Sequence, residues 1–264
     1  MAAEGPRGHQ EATPRASELR TQKPYSDSEK EVNLCTEHLP VTDGSLMQIN
    51  PLNFDTVALP YDAWFEDEGK LIFAIETKAF QQLLPSLPRP WLEVGVGSGR
   101  FAKELGIETG VDPSIKLLKM ARSRGICGFL GRGEEEIFSK GSFGAAFLIV
   151  TLCFLESPLA VLRETRWVLR PEGKIVLGLV LRDSPWGQFY SQKKQEGHRF
   201  YAHATFYSYD EVIRLLSQAG FRVERIISTL LQGPGEVQAI EQPHEGFFPD
   251  AGFTIIAGGK RGGV

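Results

Sequence analysis

The chain has 264 residues, 29 basic and 33 acidic side chains, a formal net charge of −4, and 42% of its residues in the hydrophobic set. These values exclude collagen, coiled coil and wholly disordered chains, and they allow one large or two small domains with enough apolar content for a core. A pI near 5.8 without clustered Lys and Arg argues against nucleic acid as a partner. The three cysteines, Cys35, Cys127 and Cys153, are odd in number and show neither a C-x-x-C pair nor a neighbouring His at zinc spacing. Neither a disulfide framework nor a metal site is expected from them. The N-terminus lacks the apolar core of a signal peptide, and no stretch reaches the 18 or more apolar residues of a membrane span. The expectation is a reduced, cytoplasmic protein of open oligomeric state.

Residues 1 to about 45 are polar and carry neither a helical nor a strand period, which predicts a flexible tail. Residues 46–264 then form one domain. An aromatic segment, Tyr61 to Phe65, precedes a helix over Lys70 to Leu84, where Leu71, Ile72, Ile75, Ala79, Phe80 and Leu83 recur at helical spacing. Trp91 to Gly95 reads as a buried strand running into the glycine turn Gly95-Val96-Gly97-Ser98-Gly99, with a helix from Arg100 to Leu105. Thr109 to Asp112 is a second strand and Pro113 to Arg124 a helix; Gly128 to Leu130, Gly144 to Leu152 and Gly173 to Leu181 are further strands. Helices over Pro158 to Leu169 and Ser208 to Ala219 and strands over Phe221 to Ser228 and Gly252 to Ala257 complete the chain. This alternation predicts an α/β fold, a parallel sheet covered on both faces.

Glycines at 95, 97 and 99, between a strand and a helix, let a ligand approach the backbone in the crevice outside the strand ends. Asp112 ends the next strand, where a carboxylate can accept hydrogen bonds from the two hydroxyls of a ribose. Dinucleotide sites instead use G-x-G-x-x-G/A and seat a pyrophosphate on the helix N-terminus. Here the third glycine comes one residue later, and Glu93 stands two residues before the first. A carboxylate there disfavours pyrophosphate and suits a ligand bearing ammonium and sulfonium charges.

The stretches Leu92-Glu93-Val94-Gly95-Val96-Gly97-Ser98-Gly99, Gly110-Val111-Asp112-Pro113-Ser114, Gly131-Arg132-Gly133-Glu134 and Leu169-Arg170-Pro171-Glu172-Gly173-Lys174 resemble the class I S-adenosylmethionine-dependent methyltransferases, in particular the small-molecule branch with the ubiquinone and menaquinone enzymes. The resemblance spans about Tyr61 to Ala257. It implies a Rossmann-like three-layer sandwich, a mostly parallel seven-stranded sheet with an antiparallel last strand, and S-adenosyl-L-methionine as cofactor. It also implies that Glu93, Gly95, Gly97 and Gly99 surround the methionine part, Asp112 the ribose, Pro113 and Ser114 the adenine face, Gly133 and Glu134 the adenine edge, and that Thr151 lies near the sulfonium. The chain departs from the family pattern at Gly144, where an Asp is common, and at Gly133, where an Ala is usual. It also lacks the Asn or Asp followed by two prolines of base methyltransferases, having Thr151-Leu152-Cys153-Phe154.

Two stretches exceed what such a fold requires: the aromatic segment at Tyr61 and residues 182–207, which read as a lid insertion. Tyr61, Trp64, Trp186, Tyr190 and Tyr201 are candidates for an acceptor pocket, and His198, His203 and Tyr61 for a catalytic base. Cys153 reads as a small hydrophobe. The expected function is methyl transfer to a small molecule in line with the sulfonium, in an aromatic, water-excluding site. The alternatives are a nicotinamide-dependent oxidoreductase and a non-catalytic scaffold or sensor that binds S-adenosylmethionine.

Overall fold

A computed structural model describes residues 54–262; the expected tail lies outside the described residues. An eight-stranded sheet forms the middle layer, in the order β3-β2-β1-β4-β5-β8-β6-β7. Its strands are β1 (Trp91–Val94), β2 (Thr109–Asp112), β3 (Cys127–Leu130), β4 (Phe143–Ile149), β5 (Leu169–Leu179), β6 (Phe221–Thr229), β7 (His244–Glu245) and β8 (Phe253–Lys260). The first five run parallel, and β8 inserts antiparallel between β5 and β6. The expected seven strands become eight because β7, two exposed residues, pairs with the edge of β6; so short a strand leaves no period to read.

Side-chain alternation builds two cores, one on each face. In β4, Ala145, Phe147 and Ile149 join the core beneath α2 (Lys70–Gln81), α3 (Arg100–Leu105) and α4 (Ile115–Ser123). Ala146 and Leu148 join the core beneath α5 (Pro158–Val168) and α7 (Tyr209–Gln218). Every β4 residue is buried, as its unbroken apolar run requires.

Two helices were not expected. The aromatic segment belongs to α1 (Phe54–Trp64), which has Pro60 inside it, and residues 182–207 contain α6 (Pro185–Gln195). Ser184 caps α6 by accepting from the Gly187 N–H, with Pro185 at its first position.

Sterics explain the two departures from the family pattern. A Cβ at position 144 would stand 2.2 Å from the Pro88 carbonyl oxygen, and one at 133 would stand 2.7 Å from Val94 and 2.9 Å from Val161. Neither position has room for the residue usual elsewhere. The expectation of a free thiol holds at Cys153.

Candidate functional site

The order of strands reverses between β1 and β4: β2 and β3 lie on one side of β1, β4 and β5 on the other. Ligands of open α/β sheets bind outside the carboxyl ends of strands at such a switch point, and a narrow cleft of about 100 Å³ opens there. Gly95, Gly97, Asp112, Gly133, Glu134 and Thr151 line it, together with Pro113. Gly95 has φ +76, and a Cβ on it would stand 2.4 Å from the Thr151 side chain. The backbone here is both left-handed and pressed against its neighbour, so only glycine fits. Gly99, also left-handed, precedes α3 and lies behind the cleft, where a Cβ would stand 2.9 Å from Ala121.

Asp112 is aimed by two backbone donors: the Gly97 N–H at 2.9 Å and the Ser114 N–H at 2.8 Å. Burial raises its pKa to about 6, against the lowering effect of those two N–H groups, and the charge of Asp55 adds to the rise. Ser114 caps α4, accepting from the Leu117 N–H at 3.2 Å, and its hydroxyl donates to Asp55. It supports the cleft without lining it. Glu93 is 2% exposed, and its Oε2 has no hydrogen-bond partner among the described residues. Burial, then the Asp112 charge, pushes its pKa well above the carboxylate range, with a partial offset from the Ala102 N–H. A buried carboxylate oxygen left unsatisfied is costly; a cationic group on a ligand would satisfy it.

The aromatic segment singled out in the sequence roofs the cleft, carried on a helix that the sequence did not announce. Helix α1 lays Tyr61 over Gly97 and Phe54 edge-on to Phe154, with ring centroids 5.3 Å apart. The helix is pinned by Asp62, which accepts from Arg100 Nη2 at 2.8 Å and from Arg124 Nη2 at 2.8 Å. Arg124 also donates to the Ser98 carbonyl, within the glycine turn, at 2.7 Å. Burial would raise the Asp62 pKa, but the hydrogen bonds from Arg100 and Arg124 bring it down to about 2. At the mouth Arg132 pairs with Glu134 at 2.7 Å and Glu156 at 2.8 Å. Val150, at the end of β4, lines the cleft with φ 51, a left-handed conformation that is strained for a β-branched residue.

A larger cavity of about 540 Å³ adjoins α1, and Trp64, Trp186, Tyr190, Tyr201, Phe200 and His198 line it. Tyr61 stands between the two spaces: it borders the cleft and meets Phe200 edge-on at 5.8 Å. Burial, then the charges of Asp112 and Glu93, raises its pKa, so the phenol stays protonated. His198 stacks on Tyr201 at 5.0 Å; burial, then the charges of Arg199 and Lys193, lowers its pKa and keeps the ring neutral. His203 is exposed and lines neither space. Burial pushes the Cys153 thiol up to about 12, which removes thiolate chemistry there. Among the described residues no three His, Cys, Asp or Glu side chains are grouped to hold a metal ion.

A family model described as a methyltransferase domain matches residues 92–177, from β1 to β5. An uncharacterized protein of Mycobacterium tuberculosis is 40% identical over 202 residues, 76% of this chain and 71% of its own length. Another from Methanocaldococcus jannaschii is 37% identical over 207 residues, 78% of this chain and 98% of its own. A Thermotoga maritima crystal structure described as an S-adenosylmethionine-dependent methyltransferase, possible histamine N-methyltransferase, is 33% identical, covers 79% of this chain and 98% of that one, and superposes with a TM-score of 0.73. The chain belongs to the class I S-adenosylmethionine-dependent methyltransferases. The methyltransferase fold accounts for the sheet order and for the cleft at its switch point, and the cofactor is S-adenosylmethionine, which replaces the nicotinamide alternative. Two features of this methyltransferase fit that cofactor independently: the unpartnered Glu93 oxygen suits an ammonium, and Gly97, left-handed and lining the cleft, leaves its floor open beneath Tyr61.

Proposed function

We propose that this methyltransferase methylates a small molecule held in the aromatic cavity beside the cofactor cleft. The observation that carries the reading is the pairing of the two spaces across Tyr61: a narrow glycine-floored cleft meets a cavity within the size range of small-molecule sites. In this reading Glu93 and the turn at Gly95 and Gly97 hold the methionine part. Asp112 accepts from the ribose hydroxyls, Pro113 borders the adenine face, and Gly133 and Glu134 border its edge. Ser114 and Gly99 act from behind, by shaping the Asp112 loop and the start of α3. When bound, the cofactor supplies an electrophilic methyl group on a sulfonium.

The protein's part in the transfer is placement. Thr151 rests against Gly95, donating to the Ile149 carbonyl at 3.0 Å, and so sets one wall where β4 ends. Tyr61, Phe54 and Phe154 keep water away from the cleft, which favours an in-line approach of the acceptor. Their rings also stabilise a cationic centre by cation–π attraction. His198, neutral and facing the cavity, is the group placed to accept a proton from an acceptor that must lose one. The cytoplasmic setting is carried over from the sequence; among the described residues no helix is long and apolar enough to cross a membrane.

The experiment is calorimetric titration with S-adenosylhomocysteine, followed by transfer of labelled methyl groups to a fractionated small-molecule extract. Binding together with label in the low-mass fraction is expected. Binding without transfer would mark a scaffold or sensor, and label appearing on protein or nucleic acid would overturn the substrate assignment.

A further inference from the structure

Three acidic residues, Glu66, Asp67 and Glu68, fill the turn between α1 and α2, and they are not used alike. Glu66 pairs with Arg100, the same arginine that holds Asp62, and so helps to pin the roof. Asp67 and Glu68 instead line the aromatic cavity, and neither enters an ion pair among the described residues. The opposing side of the cavity is basic: Lys193 on α6 and Arg199 in the turn that follows both line it. Lys193 pairs with Glu196 at 3.2 Å, three residues along. Its neighbour Lys194 is turned to the Ala204 carbonyl at 2.6 Å. Arg199 has no carboxylate partner among the described residues; its guanidinium lies over the Phe200 ring, 4.8 Å from the centroid.

Two charges of each sign therefore border one space, and among the described residues no ion pair crosses it. Rings fill the wall behind them: Trp186 packs on Tyr190 with centroids 5.7 Å apart, and Tyr190 on Tyr201 at 4.4 Å. A ligand with a single charge is attracted by one set and repelled by the other, so it gains little from either. A neutral ligand leaves both sets in water. A molecule that carries both signs meets both sets favourably, while its apolar middle lies on the rings. The residue types suit these tasks. A guanidinium presents a fork of donors to an oxyanion, and carboxylates beside aromatic rings suit an ammonium. Exposed charges bind weakly one at a time, so selection rests on meeting the two sets together.

We propose that the aromatic cavity takes a zwitterion: a small molecule with a ring-sized apolar middle, an ammonium end held by Asp67 and Glu68, and an oxyanion end held by Arg199 with Lys193 beside it. This rests on the small-molecule reading above and narrows its substrate class. Both ends are anchors that orient the molecule between α1 and α6. A protonated nitrogen has no lone pair to attack with, so the ammonium, while it is held, is not the atom that takes the methyl group.

The test uses the full chain saturated with S-adenosylhomocysteine and three probes of matched shape: 4-(aminomethyl)phenylacetate, which carries both charges, 4-methylphenylacetate, which carries only the anion, and 4-methylbenzylamine, which carries only the cation. By calorimetry at pH 7 and low salt the first is expected to bind at least tenfold more tightly than either of the others. Arg199→Gln should bring it within threefold of 4-methylbenzylamine while its lead over 4-methylphenylacetate remains. The double variant Asp67→Asn, Glu68→Gln should do the reverse, and S-adenosylhomocysteine affinity, the check on folding, should be unchanged in both. Equal affinities, absence of binding by the doubly charged probe, or a lead that survives both variants overturns the proposal. The labelled extract separates it from the reading it rests on. Label in a low-mass compound retained by cation exchanger at acid pH and by anion exchanger at alkaline pH supports it. A low-mass product with one charge or none overturns it and leaves the small-molecule reading standing, whereas label confined to macromolecules breaks both.

Discussion

The two halves of the site are built on different principles. The cofactor half is a matter of backbone: glycines that admit no side chain, and one carboxylate aimed by two N–H groups. The half proposed for the acceptor is a matter of side chains, with rings from α1, α6 and the turn after α6 meeting around one cavity. Backbone demands leave few alternatives at each position, whereas a wall of rings can be assembled in many ways. The first half should therefore fail abruptly on substitution and the second by degrees.

Gly95→Ala is the sharpest test. It places a Cβ 2.4 Å from Thr151 in a left-handed conformation, and S-adenosylhomocysteine binding should fall more than about 100-fold by calorimetry. A loss below threefold would break the backbone half of the comparison. Asp112→Ala removes a charge-assisted acceptor and should cost about 2–3 kcal/mol of cofactor binding, on the same measurement. Asp62→Ala unpins α1 and leaves two arginines facing each other. Stability should drop by about 1–2 kcal/mol in urea, the smaller end applying because the carboxylate is partly solvated.

Acidification is a milder probe. Asp112 titrates near pH 6 in the free protein, and its ionised form is the better acceptor for ribose hydroxyls. S-adenosylhomocysteine affinity should hold above that pH and weaken below it, by up to about tenfold per pH unit. His203→Ala, at an exposed position outside both spaces, should leave methyl transfer within twofold of the unaltered rate, whereas His198→Ala lowers it. Equal effects from the two histidines would blur the acceptor half of the comparison.

What could be read in advance follows the same division. The β1 strand, its glycine turn and Asp112 were legible because each residue type answers a local demand. Helix α1 was hidden by Pro60 and by aromatic residues that show no polar face. For α6 the sequence does carry a signal, Ser184 before Pro185, masked by the dense run of aromatic residues around it. The Asp62 contacts with Arg100 and Arg124 cross 38 and 62 residues, and no local pattern announces them.

Arg124 grips two things at once, the carboxylate that holds α1 down and the carbonyl of Ser98 in the floor of the cleft. Roof and floor are thereby one mechanical unit, and the ion pairs that join them are shielded enough from solvent for salt to screen them little. The tempo of product departure is expected to follow from this: release waits for the roof to lift, at a rate nearly indifferent to ionic strength and faster in Asp62→Asn by stopped-flow. In that case the turnover of the methyltransferase is timed by a side chain that touches neither its substrate nor its cofactor.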